Sequence, residues 1–305
     1  MRSLFSDNNE IVFNFKLTPI LKWQGGKRKI LRTISKYYPK YFNDYIEVFS
    51  GMCAVFTDLV NKQIIRKNTH ILLNDINRDV ILLFEHIKEN VDIFKEKLLK
   101  YKNGITRIEY HDIKKTFNDY VYSLDYSVDR SVLFYVIISH NFNGSIRYNK
   151  RNGYNAQYGR QAILSDNKIK EIDNLSICLK NPNIFLSNNN YIDLLETYQY
   201  KKNDFFYFDP PYYPESNERK TTQYNGSSFT DIDQIKLMEY FKKIDNMDNF
   251  VLLSNSKTDF IRNLYSDYKI IEVDIYRGLC ADKKYRIKTQ EYLILGNYLY
   301  NSIKK

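Results

Sequence analysis

Asp209-Pro210-Pro211-Tyr212 closes the aromatic run Phe205-Phe206-Tyr207-Phe208. Asp209 offers carboxylate oxygens, Pro210 a backbone carbonyl with no adjacent N–H, and Tyr212 a flat face. Such a set suits the exocyclic amine of a nucleobase. The lone pair of that amine is delocalised into the ring. Two acceptors drawing on its N–H bonds favour a tetrahedral nitrogen whose localised pair can attack an electrophilic methyl, while the aromatic face holds the base. No covalent intermediate is required. An Asp capping a turn beside ordinary Pro-Pro punctuation would give the same four letters. The chemistry therefore depends on whether the chain also supplies a methyl-donor site and a route for the base.

Those residues need a scaffold, and the surrounding pattern describes one. Four consecutive aromatics form a buried strand, and neither proline can donate to a ladder, so the strand ends where the carboxylate begins. Asp209 is thereby delivered at a strand's C-terminal edge, where open α/β sheets place their ligands. Upstream, Tyr45 to Phe49 reads as a strand, and Ser50-Gly51-Met52-Cys53-Ala54 turns it into a helix through Val55, Leu59 and Val60. Strand, glycine turn and helix open a nucleotide-binding βαβ unit. The next strand, Ile71 to Leu73, ends at Asn74-Asp75, so an acid stands roughly 20 positions beyond the glycine turn, where a dinucleotide fold holds ribose hydroxyls. The competing use of Asp75 is as the N-cap of a helix over residues 76–88. Ahead of both units, Trp23, the chain's only tryptophan, and Lys27 flank Gly25-Gly26. An amphipathic pattern through Ile30, Leu31, Ile34 and Tyr37 predicts a helix ending before Pro39. The glycines would let backbone approach a ligand, and the helix start behind them would present free N–H groups.

Between residues 79 and 167 the periodicity becomes helical, over Val80 to Lys100, Arg107 to Tyr122 and Val132 to His140. This predicts a mostly helical insertion, residues 79–167, between the two parts of a catalytic α/β domain, residues 17–78 and 168–305. It ends in a basic, glycine-containing stretch. From Asn141 to Leu164 there is no acid, while Arg147, Lys150, Arg151 and Arg160 interleave with Phe142, Tyr148, Tyr154 and Tyr158. Such a loop can enter a DNA groove, Arg and Asn reading base edges and Phe142 wedging into the stack; a solvated basic hairpin is the plainer alternative. Residues 11–43 are likewise free of acids and carry eight basic residues. Segregated charge with aromatics, within a net charge of +10, favours a nucleic-acid partner over general solubility.

Downstream, strand Ile184 to Leu186, a helix near Ile192 to Thr197, the Asp209 strand, helix Asp231 to Ile244, strand Phe250 to Ser254, helix Lys257 to Tyr265 and strands Tyr268 to Ile275 and Glu291 to Leu295 complete an alternating α/β pattern. The polar loop Thr221 to Thr230 is a candidate clamp for a flipped nucleotide, and the basic stretch Arg277 to Lys288 a candidate DNA-facing hairpin. Cys53, Cys178 and Cys280 are odd in number and far apart, against a disulfide framework or zinc cluster. No metal is expected. The polar amino terminus lacks a signal-peptide core, and the longest apolar run, Val132 to Ile138, is too short to span a bilayer. The protein is therefore expected in the cytoplasm, or wherever host or viral DNA resides.

The order of these motifs resembles the DNA adenine-N6 methyltransferases of the Dam type. Lys22-Trp23-Gln24-Gly25-Gly26-Lys27 is similar to that family's Lys-Trp-x-Gly-Gly-Lys, and Glu47-Val48-Phe49-Ser50-Gly51 to its Glu-Pro-Phe-x-Gly. Asn74 to Asn77 resembles its second-strand Asp-Ile-Asn, and Asp209 to Tyr212 its Asp-Pro-Pro-Tyr. Asn143-Gly144 through Asn149, with Asn155 and Tyr158-Gly159-Arg160, is similar to its recognition loop; Ser228-Phe229-Thr230 and Leu253-Ser254-Asn255 match smaller motifs.

The resemblance implies a Rossmann-like S-adenosylmethionine-dependent methyltransferase sheet with the helical insertion as target-recognition domain. It implies a site-specific enzyme that methylates the N6 amine of a flipped adenine in double-stranded DNA by direct in-line transfer. S-adenosylmethionine would be held by Trp23, Lys27, Phe49, Gly51, Asp75 and Asp209, the adenine engaged by Asp209, Pro210 and Tyr212, and DNA contacted by Phe142, Asn143, Arg147, Asn149, Gln157 and Arg160. A monomer or weak dimer is expected, with a cognate restriction endonuclease as a further partner. Val48 stands where the family has Pro, and Cys53 where it has a second Gly, an exchange expected to crowd the donor's methionine end. Ser145 and Gln157 replace the Leu and Pro with which Dam reads GATC, leaving the target sequence open. Two alternatives stand beside this reading: a cytosine-N4 methyltransferase, whose motif usually begins with Ser rather than Asp, and a nucleic-acid-binding protein with a degenerate donor pocket.

Overall fold

The computed structural model describes residues 14–149, 153–160, 162–214, 222–224, 227–277 and 287–304. Its centre is a seven-stranded sheet built from β1 (Tyr45–Glu47), β2 (Ile71–Asn74), β3 (Ile184–Ser187), β4 (Phe205–Phe208), β7 (Phe250–Ser256), β8 (Lys269–Arg277) and β9 (Ile287–Leu295), in the order β3-β2-β1-β4-β7-β9-β8. The β3-β2-β1-β4-β7 block is parallel, and β9 runs antiparallel between β7 and β8. The remaining strands, β5 (Thr222–Tyr224) and β6 (Ser227–Phe229), form a separate antiparallel hairpin. This is the Rossmann-like sheet that the sequence predicts. The chain walks outward from β1 through β2 to β3, then returns to lay β4 on the other side of β1. The reversal leaves a crevice between the C-terminal ends of β1 and β4.

Strand composition explains why the sheet lies in the middle. All four residues of β4 are buried, and their period-two alternation feeds two cores. Phe205 and Tyr207 join the face that holds Tyr45, Leu73 and Leu252, while Phe206 and Phe208 join Ile46, Val251 and Ile294 on the other. The first face is covered by α2 (Ala54–Asn61), α3 (Arg78–Glu89), α6 (Val128–His140) and α7 (Asp166–Leu179), with α4 (Val91–Leu99) and α5 (Arg107–Tyr122) stacked outside; the second is covered by α8 (Tyr191–Thr197), α9 (Asp231–Asp245) and α10 (Asp259–Leu264). The helices of the insertion thus share one continuous core with the sheet. A C-terminal helix, α11 (Asn297–Lys304), sets Leu299 into the first core.

Two expectations change. The helix predicted through Ile30 and Tyr37 is instead a 3-10 turn (Lys27–Lys29), the single α-turn α1 (Leu31–Ile34) and a second 3-10 turn (Ser35–Tyr37). Ile30 N donates to Lys27 O, so the backbone behind the glycines begins as a 3-10 turn and not as a regular α-helix. The helix expected from Val80 to Lys100 is two helices broken at Asn90, which accepts from Phe94 N and donates to His86 O. Among the described residues no helix is long and apolar enough to cross a membrane.

Candidate active site

Three loops leave the C-terminal ends of β1, β2 and β4 and meet. Ser50 N donates to Asn74 O, Val48 N to Tyr207 O (3.2 Å), and the Asn74 amide donates to Val48 O (2.9 Å) and Asn189 O (3.1 Å). Val48 therefore makes a ladder bond that a proline there would lack. Asn74, buried, knits the ends of three strands. An amide in place of the last apolar residue of a buried strand was the available signal for that role.

In the loop after β1, Gly51 has φ +46°, and a Cβ there would lie 2.7 Å from Trp23 Nε1. Only glycine lets the indole lie on this backbone. The ring is backed by Phe134 of α6, edge-on at 6.4 Å. Cys53 keeps a left-handed backbone (φ +54°) despite its side chain, at a cost of about 1–2 kcal/mol. Its side chain is buried in the first core, with Met52 and Phe56. Beneath the loop the Glu47 carboxylate is fully buried, accepting from Tyr45 OH (2.9 Å) and Phe56 N (3.0 Å). Burial pushes it up to about 8 against the pull of those two donors, so it is protonated at neutral pH.

Asp75 is not a helix cap. That role belongs to Asn77, whose side chain accepts from Asp79 N. Asp75 instead accepts from Gly51 N and Asn77 N, each at 2.8 Å, tying the loops after β1 and β2 together. Burial raises its carboxyl to about 6, and the two backbone N–H groups partly offset the rise. Phe49 packs on the far side with Tyr191 (5.6 Å), Phe208 and Phe229 (6.1 Å), so the last residue of β6 meets the loop after β1.

Asp209 follows β4, level with the loop after β1 because Glu47 pairs with Tyr207. Its side chain is 19 % exposed and its Oδ1 lies 2.7 Å from Lys27 Nζ. The same ammonium donates to Gly25 O (2.5 Å) and lies 4.7 Å from the centre of the Tyr212 ring. Burial raises the Asp209 carboxyl to about 6, and Lys27 holds it from going higher. Tyr212 OH donates to Glu291 Oε2 on β9 (2.6 Å). The corner is braced from behind. Gln234 of α9 donates to Pro211 O (3.0 Å), Asn255 donates to Gln234 Oε1 (3.0 Å) and accepts from Tyr213 N (3.2 Å), and Ser256 Oγ donates to Tyr213 O (2.6 Å). The sequence reading singled out Asn255 but missed Glu291, Gln234 and Ser256. A glutamate opening the apolar run Tyr292 to Leu295 was the visible sign of one; the others are separated in sequence and carry none.

The basic segment folds back on itself. Asn141 pairs with Tyr158 and Tyr148 with Tyr154, antiparallel. Alternation then sorts the side chains: Ile146, Tyr148, Tyr154 and Ala156 are buried, while Phe142, Arg147, Asn149, Gln157 and Arg160 are exposed. Phe142 N donates to Gln157 O, which sets those two side by side. The underside is tied to α5 through Tyr110 OH to Ala156 O (3.1 Å) and a reciprocal pair between Asn118 and Tyr154. The side chain of Asn143, most of the Thr221 to Thr230 stretch beyond the β5–β6 backbone and Phe229, and nearly all of Arg277 to Lys288 lie outside the described residues.

The crevice at the sheet's reversal point brings together two loops joined by a buried acid and the Asp-Pro-Pro-Tyr corner, the arrangement expected of an amine-directed methyltransferase. The D12 class N6 adenine-specific DNA methyltransferase family model matches residues 23–279. The chain is 30 % identical over 282 residues to the Type II methyltransferase M1.LlaDCHI of Lactococcus lactis, covering 92 % of this chain and 96 % of the relative. It is 31 % identical over 295 residues to the Type II methyltransferase M.MjaIII of Methanocaldococcus jannaschii (92 % and 99 %), and 29 % identical over 287 to the DNA adenine methylase of Haemophilus influenzae (92 % and 94 %). The chain belongs to the D12 class of N6 adenine-specific DNA methyltransferases. It is a site-specific, adenine-directed enzyme whose substrate is DNA, and the cytosine-N4 alternative is set aside.

Proposed function

We propose that Asp209, Pro210 and Tyr212 engage the target adenine, that Trp23, Lys27, Phe49, Gly51, Asp75 and Asp209 hold S-adenosylmethionine, and that Phe142, Asn143, Arg147, Asn149, Gln157 and Arg160 meet double-stranded DNA. One observation carries the reading: Asp209 Oδ1 already accepts a nitrogen donor, Lys27 Nζ, at 2.7 Å beside the Tyr212 ring. A substrate amine needs that environment. Above about pH 6 the carboxylate is ionised and can draw on the amine's N–H bonds. Glu291 and the Gln234–Asn255 brace keep the corner rigid, so little reorganisation is left for the reacting step.

The donor-site residues suit S-adenosylmethionine. The buried Asp75 carboxylate has no cation partner among the described residues, and each oxygen retains acceptor capacity for neutral hydroxyls such as those of a ribose. Gly51 lets the Trp23 indole lie directly on the loop after β1, so an aromatic edge stands beside Asp75. When bound, S-adenosylmethionine supplies a sulfonium methyl. Extrusion of the adenine is expected because its amine cannot reach the crevice from inside a duplex. Residues 79–167 then serve as the target-recognition domain and residues 17–78 and 168–305 as the catalytic domain. The protein acts as a monomer or weak dimer where host or viral DNA is kept, with a cognate restriction endonuclease as a partner. Modification-sensitive sequencing of unmethylated genomic DNA incubated with the protein and S-adenosylmethionine tests this. N6-methyladenine at one recurring short sequence is expected; unmodified adenine throughout would sink the proposal.

A further inference from the structure

The turn that starts the recognition segment sits on the glycine loop of residues 22–27, which the proposed reading gives to the donor. Gln24 N donates to Gly144 O at 3.0 Å, and Gln24 Oε1 accepts from Ile146 N (3.1 Å) and Ser145 Oγ (3.3 Å). One residue thus holds three consecutive residues of the turn. Contact is close enough that a Cβ on Gly144, whose φ is +66°, would fall 2.3 Å from Lys22 O. Three positions on from Gln24, Lys27 is bonded to Asp209, and one position back Trp23 lies on Gly51. A second tether runs from the loop after β2: Asn77 Nδ2 donates to Tyr148 OH (3.3 Å), which itself donates to Asp79 Oδ2 (3.2 Å). Both loops therefore hold one strand of the segment whose opposite face carries Arg147 and Asn149. Ser145, at a position where a base reader was weighed, has its hydroxyl turned to Gln24 instead.

The geometry points to Gln24 as a positioning residue that couples donor occupancy to DNA recognition: ordering of residues 22–27 around the donor fixes the turn 144–146, and DNA engaging the turn fixes the donor loop in return. The inference rests on the proposed reading that residues 22–27 serve the donor and residues 142–160 the DNA. Coupling between two sites is reciprocal, and it usually spans about 5- to 150-fold. The tether uses an exposed side chain acting only as acceptor, so its chemistry can be changed without opening the core.

Trp23, the only tryptophan, reports donor-loop occupancy by its fluorescence. The dissociation constant of S-adenosylhomocysteine, a non-reacting donor analogue, is measured with and without adenine-unmethylated plasmid DNA at one fixed salt concentration. The ratio of the two constants is the coupling. In the unaltered protein DNA should tighten analogue binding several-fold. Gln24→Ala should bring the ratio close to one, and Gln24→Glu, which keeps an acceptor at the end of the same chain, should preserve it. Gly144→Ala should also abolish it by prying the turn from Lys22. An unchanged ratio in Gln24→Ala, or a ratio of one in the unaltered protein, overturns the inference while leaving the two sites assigned. Absence of any analogue binding would instead overturn the donor site itself, and this inference with it.

Discussion

The corner around Asp209 and the face around Arg147 hold their functional groups in opposite ways. At the corner, polar groups are spent on one another: Asp209 with Lys27, Tyr212 with Glu291, Pro211 with Gln234, Tyr213 with Asn255. On the recognition face the hydrogen bonds lie underneath, through Tyr110, Asn118 and Asn141, and Phe142, Arg147 and Gln157 are exposed. Chemistry on a weak nucleophile needs acceptors that do not move during reaction. Reading a polyanion instead needs long side chains in water, free to trade hydration and counterions for phosphates and base edges. Loss of a group at the corner should therefore act on turnover, and loss on the face should act on DNA affinity and choice.

The sharpest way to break that division is Asp209→Ala. It should lower turnover by at least about 100- to 1,000-fold, the usual cost of one pre-organised polar contact to a reacting group, with duplex binding in a gel-shift assay largely intact. In the unaltered protein kcat/KM should fall as pH drops below about 6, because a carboxyl raised to that value by burial is protonated there and no longer accepts. Turnover that survived the substitution would remove Asp209 from the reaction.

Glu291 tests whether rigidity at the corner matters as well as charge. Glu291→Ala leaves the Tyr212 hydroxyl without the acceptor 2.6 Å away and should cost on the order of tenfold to a hundredfold in kcat, as misplacement by about 1 Å does elsewhere. Glu291→Gln retains an acceptor oxygen and should recover most of it, a rescue that general loss of folding would not produce.

Arg147→Ala is the matching change on the face. If Arg147 meets a phosphate, affinity should drop across all sequences and the slope of log affinity against log salt should fall by about one; if it meets a base edge, about 1–3 kcal/mol of discrimination should vanish at one position. Donor affinity measured without DNA should not move in either case. A variant with normal binding and altered turnover would erase the distinction between the two regions.

The same distinction accounts for what the sequence discloses. Asp209, Asp75 and Gly51 were legible because each sits where a strand ends, and strands of Phe, Ile and Leu announce their own ends. Arg147, Asn149 and Gln157 were legible as a group because an acid-free, aromatic-rich run is a compositional signal. Glu291, Gln234 and Gln24 were not, since each acts on a partner between 23 and 122 positions away, and pairing over such distances is fixed by the assembled fold and not by local sequence. The helix predicted after Gly26 failed for a local reason: an apolar period over eight residues fits a broken series of turns as well as a helix.

A smaller effect examines what the buried side costs. Glu47 lies beneath the loop that carries Gly51, with its carboxyl pushed up to about 8 by burial and with no ion-pair partner among the described residues. A carboxyl whose value is higher in the folded than the unfolded chain binds its proton more tightly when folded. Its contribution is therefore fully present below about 4.5 and is lost as pH rises through about 8. Glu47→Gln keeps an oxygen to accept from Tyr45 OH and Phe56 N but cannot ionise. The variant should match the parent in Tm below about pH 4.5 and melt higher than the parent at pH 9, where the parent's buried carboxyl is ionised. Equal melting at both pH values would mean that water or a counter-charge reaches Glu47, and that the sheet edge under the donor loop is less closed than the recognition face is open.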